Sequence, residues 1–175
     1  MLIGLALLLC LASVPCAGGR LGALAELRFR APGLALAAIA VQVLVISVAP
    51  GSGGTAHRIA HLGTYGLIGA FLWANRHVPY LWLVAIGGGL NLVAIIANGG
   101  VMPADPGALA AAGVQQPAGE FANSMALAHP RLSFLGDVFA VPSSWPVSNV
   151  FSVGDVVLVV AALLALHRLC GSRLA

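Results

Sequence analysis

Four of the five acids, Asp105, Glu120, Asp137 and Asp155, lie beyond residue 100, and His57 and His61 stand four apart upstream of them. Two carboxylates sharing one proton in a poorly hydrated site can divide acid and base roles, one activating water while the other protonates a leaving group. Asp137 in FLGD and Asp155 in FSVGD are the candidate catalytic pair. Asp155 has a second reading: Ser152 and Asp155 fit a capping box at the start of an apolar helix, where a carboxylate also meets the positive end of the helix dipole. His57 and His61 share a helix face and a spacing that suits one metal ion, but no glutamate follows His57 as it would in HExxH. We therefore expect neither metal nor cofactor, and a hydrogen bond from His61 to another helix or to the loop.

Polar residues inside apolar runs form the second group. Gln42 and Asn91 are amides deep in such runs, and a helix-to-helix hydrogen bond is the default for each; a transport path is the alternative. His61, Asn91, Asn98, Asp105 and Asn149 make up the candidate ligand-binding set. Asn98, Gly99 and Gly100, followed by Pro103, read as a helix stop, since glycine takes the left-handed cap and proline prevents continuation. Gly87, Gly88 and Gly89 predict close helix approach.

The elements that must position these residues follow from composition. The chain has 60% apolar residues, a mean hydropathy of +1.01 and only 7% charged residues, against roughly 25% charged in soluble domains. This predicts an all-α integral membrane protein, a single domain over 1–175 with about five transmembrane helices near 1–17, 32–49, 58–75, 79–97 and 154–170. Residues 98–153 are expected to form an ordered extracytoplasmic loop cap of short helices or re-entrant pieces. The net charge of +3 comes from eight Arg and no Lys, too thinly spread for a nucleic-acid surface. Arg20, Arg28, Arg30, Arg76, Arg168 and Arg173 fall on one side of the expected bundle, Arg58 and Arg131 on the other. The positive-inside rule then predicts the N-terminus outside and the C-terminus cytoplasmic in a bacterial inner membrane. Cys10, Cys16 and Cys170 show no metal-like or redox spacing and read as packing residues.

The stretch HLGTYGLIGAFLWANRHVPYLWLVAIGGGLNLVAIIANGGVMPA, with FLGD and FSVGD after it, resembles an uncharacterised bacterial family of small polytopic membrane proteins, a domain of unknown function. That resemblance implies a membrane fold and no activity. WPVSNVFSVGDVVLVV from Trp145 is similar to the closing motif of lipoprotein signal peptidases, which implies a catalytic role for Asp155 supported by Asn149. The NxxDR motif of those peptidases is absent here.

These readings leave three functions. The first is a non-catalytic module whose cap binds a protein partner, membrane lipid or a small ligand. The second is an aspartate-dependent hydrolase or peptidase using Asp137 and Asp155, and the third is a small transporter.

Overall fold

Proline and short polar side chains mark where the helices begin. Pro32 opens helix α2 (Pro32–Val43) and Pro106 opens helix α5 (Pro106–Ala112), first-turn positions where the missing N–H costs nothing. Asp105 caps α5 by accepting from Ala108 N at 2.8 Å. Ser152 and Asp155 complete a reciprocal capping box at the start of α6 (Val153–Leu169). Helices α1 (Leu2–Cys16), α3 (Thr55–Ala74) and α4 (Leu81–Ala97) complete the helical set in a computed structural model that describes residues 2–44, 55–114 and 124–174. The GSGG turn at 51–54, Glu120 and the side chain of His57 lie outside the described residues.

Helix ends are closed with equal economy. At the end of α4, Gly99 (φ +68°) and Gly100 (φ +94°) adopt the left-handed conformation. The Gly100 N–H then reaches Ile95 O at 2.8 Å and the Gly99 N–H reaches Ile96 O at 3.2 Å, the Schellman arrangement that satisfies carbonyls lacking an intrahelical donor. Asn98 Nδ2 donates to Ala94 O and to Arg131 O, and its Oδ1 accepts the Arg131 N–H. Asn75, fully buried after α3, repeats the pattern. Its Nδ2 donates to Phe71 O and Arg30 O while its Oδ1 accepts from Arg30 N. Each asparagine therefore closes one helix and clasps the backbone of a distant segment.

The chain is mostly helical, but among the described residues no helix is long and apolar enough to cross a membrane. This overturns the reading of five transmembrane helices. Helices α4 and α6 have 17 residues and α1 has 15; at about 1.5 Å per residue, even the longer two fall short of a hydrocarbon core of roughly 30 Å. Helix α3 has 20 residues, but His57, Arg58, His61, Thr64 and Tyr65 fall within it and dilute its hydropathy. Large apolar side chains nevertheless stand exposed, including Leu8 and Leu9 on α1, Leu36 on α2 and Trp82 on α4.

Helix α4 packs against α6, α2 against α3, and α1 against α6, whereas α3 and α4 touch along less of their length. Among the described residues between α4 and α6, the chain forms α5 and four short strands rather than helices alone. β1 (Met102–Pro103) pairs in parallel with β2 (Ser124–Met125), and β3 (Phe139–Val141) pairs antiparallel with β4 (Asn149–Phe151). Ala94, Ile95 and Met102 form the buried centre beneath this region, flanked by Leu62, Tyr65 and Leu135.

At the opposite end, His167 is almost wholly buried between α1 and the C-terminal turn. Ser13 Oγ donates to Cys10 O at 2.8 Å, so it accepts from His167 Nε2 at 3.0 Å. Nδ1 is then the acceptor for the Ser172 hydroxyl at 2.6 Å, and Ser172 Oγ accepts from Leu174 N.

Candidate functional site

Two polar centres lie at helix contacts, one between α4 and α6 and the other between α2 and α3. The first is built on Asn91, whose Nδ2 donates to Asp155 Oδ1 at 2.9 Å and whose Oδ1 accepts the Ser152 hydroxyl at 2.8 Å. The second oxygen of Asp155 accepts from Ser152 N at 3.0 Å, and Asp155 N donates to Ser152 Oγ at 3.0 Å. Both carboxylate oxygens of Asp155 are thus held by the start of α6 and by α4. The approach depends on Gly154, where a Cβ would fall 2.0 Å from Asn91 Oδ1 and 2.7 Å from Gly87 O.

Asp137 stands beside this centre in the connection from the Ser133–Leu135 turn to β3. Its backbone is tied to β1 and α5, with Asp137 N donating to Pro103 O and Asp137 O accepting from Asp105 N. Ser124 Oγ donates to Asp137 Oδ2 at 2.5 Å. Burial raises the Asp137 carboxyl above its ordinary range, the Ser124 hydrogen bond opposes that, and the charge of Asp155 adds to it. The Tyr65 hydroxyl is pushed up to about 12 by burial and then by the negative fields of Asp155 and Asp137. Tyr65, Asp137 and Asp155 therefore share one electrostatic neighbourhood, yet Asp155 is held as a helix cap.

The second centre joins α2 to α3. The Gln42 amide lies within hydrogen-bond distance of His61 Nδ1 through both of its ends, at 3.0 and 3.2 Å. Thr64 Oγ1 approaches Gln42 Oε1 at 3.2 Å and His61 O at 2.6 Å. The His61 ring meets Tyr65 edge-on at 5.6 Å between centroids, and burial lowers its affinity for a proton.

From this centre a groove of about 560 Å³ runs between α3 and α4. Gln42, His61, Thr64 and Tyr65 lie at one end, and Trp73, Arg76 and Trp82 at the other. Ile68, Leu72, Val84, Leu92 and Leu158 line the wall between them. Gly69, Gly88 and Gly89 also line it, and a Cβ at any of the three would meet nothing within 4 Å. The volume suits one small molecule.

The profile of a family of unknown function, DUF5317, matches residues 26–166. The chain belongs to DUF5317. No curated protein and no solved structure matches it. The DUF5317 region holds both polar centres and the whole groove, while Ser13, His167 and Ser172 fall outside it.

In this DUF5317 chain the residues singled out from sequence separate. His61 faces the groove; Asn91 and Asp155 form the buried α4–α6 centre; Asp137 sits next to that centre, bonded to Ser124. Asn98 clasps Arg131, Asp105 caps α5, and Asn149 pairs with Val141 across the β3–β4 ribbon. Gln42 and Asn91, candidates for a common path, belong to separate networks. Close approach holds for Gly87, which meets Gly154, but not for Gly88 and Gly89. Sequence reading missed Thr64, Arg76 and Ser124 as site residues. The one local signal was Trp73 preceding Arg76 by three positions, which on a helical turn brings the guanidinium over the indole at 5.0 Å.

Proposed function

We propose that this chain is a non-catalytic binding module whose ligand is a small, largely apolar molecule held between α3 and α4. The carrying observation is the groove itself: an elongated apolar cavity with polar groups confined to its two ends and glycines leaving its floor open. Pockets of this size with few, localised polar groups are the usual form of a small-molecule site. Hydrolysis by Asp137 and Asp155 is less well supported, because both oxygens of Asp155 already accept hydrogen bonds from Asn91 and Ser152.

The test is titration with a neutral, environment-sensitive naphthylamine fluorophore, comparing the unaltered chain with Gly88→Leu. A Cβ at this position meets nothing within 4 Å, so a leucine side chain enters the groove, and replacing a helical glycine favours the helix by about 1 kcal/mol. Saturable binding that is lost in a Gly88→Leu variant of equal or higher thermal stability supports the reading. Equal binding by both proteins, or no saturable binding to the unaltered chain, overturns it.

A further inference from the structure

Resting on that binding reading, we propose that the ligand is a single-chain amphiphile with an anionic head, the head seated on Arg76 and the alkyl chain running along the groove toward Tyr65. Among the described residues that line the groove, Arg76 is the one arginine and none is an acid. Its guanidinium is already positioned: Nη1 donates to Trp73 O at 3.1 Å and the group lies over the Trp73 ring. A guanidinium has five N–H donors in a planar fork matched to carboxylate and phosphate oxygens, and the Trp73 carbonyl engages Nη1 alone.

The other end of the groove makes no comparable demand. Gln42, His61 and Thr64 hydrogen-bond to one another there, so an apolar chain end can stop against them without leaving a charge unanswered. The nine positions from Tyr65 to the end of α3 at Ala74 span roughly 14 Å at the helical rise, with Arg76 in the turn just beyond, which suits an extended alkyl chain better than a compact ring system. Open glycine positions at Gly69, Gly88 and Gly89 let such a chain lie close to the helix backbones.

Dodecanoate, dodecyl phosphate and dodecanol, each below its micelle concentration, are to be compared as competitors of the neutral fluorophore. At least one anion should compete about tenfold better than dodecanol on the unaltered chain, as a charge-assisted hydrogen bond implies. Whether carboxylate or phosphate competes better identifies a free fatty acid or a phosphorylated lipid as the source. In Arg76→Gln that preference should fall below about threefold, and in Arg76→Lys, which keeps the charge without the fork, it should partly return. The preference is taken as the ratio of anion to dodecanol competition on each protein, so a change in neutral binding does not enter it. Equal competition by dodecanol and both anions, or an anion preference that survives Arg76→Gln, overturns the proposal while leaving the groove reading intact. Failure of the fluorophore to bind the unaltered chain overturns both.

Discussion

The amide of Asn91 donates to Asp155 Oδ1 at 2.9 Å, so the cap of α6 is completed from α4 rather than from its own helix alone. Replacing Asn91 by Leu removes the donor to a carboxylate and the acceptor of the buried Ser152 hydroxyl. We expect a loss of about 1–3 kcal/mol, read as a lower unfolding midpoint in urea. Gly154→Ala should cost a similar ~1–3 kcal/mol through steric conflict with Asn91 and with the backbone of Gly87. An unchanged midpoint in both variants would show that the α4–α6 seam does not depend on this centre.

Asp137 predicts a dependence of stability on pH with a definite sign. Its folded-state pKa is raised above the ordinary 3.8, chiefly by burial, so the folded chain holds this proton more tightly than the unfolded chain does. That contribution is full below 3.8 and is lost as pH rises through the folded-state value. Asp137→Asn stays neutral throughout, so its stability relative to the unaltered chain should grow as pH rises over that window. His61 acts with the opposite sign: burial lowers its pKa from 6.5, so stability is full above that value and falls as pH drops below it. Chemical unfolding at a series of pH values checks both, and parallel curves for Asp137→Asn and the unaltered chain would contradict the first.

Asn98 ties the end of α4 to Arg131 by two backbone hydrogen bonds, one at 2.7 Å and one at 2.8 Å. Asn98→Ala should cost about 1–2 kcal/mol globally, and it should loosen the segment around Arg131 first. Amide hydrogen exchange is the measurement, with faster exchange expected around residue 131 and not at Arg30, which is held by Asn75. Uniform acceleration at both places would count against a local clasp.

How much of this was legible in the sequence depended on the reach of each interaction. The capping box at Ser152 and Asp155 and the glycine stop after Asn98 are set by residues within a few positions of one another, and both form as read. The amides of Gln42 and Asn91 do make helix-to-helix hydrogen bonds. Hydropathy misled on membrane crossing: it registers how apolar a stretch is, not where the helix stops, and α4 and α6 stop at 17 residues. The strands were invisible because two or three residues are too few to show a two-residue period. The groove was equally hidden, since nothing local reveals that Ile68 of α3 and Ala85 and Leu92 of α4 line a common cavity.

The buried chain through His167 has one further property. Its first group, Leu174 N–H, can only give a hydrogen, and its last, Cys10 O, can only take one. The two ends therefore fix an orientation for all four links, running from the C-terminal turn through Ser172 and His167 to Ser13 and into α1. The links polarise one another in the same sense, so a dipole crosses the α1–α6 contact with its direction dictated by main-chain atoms. Breaking either link to His167 leaves the remaining donors in two shorter segments that no longer reinforce each other across the helix pair.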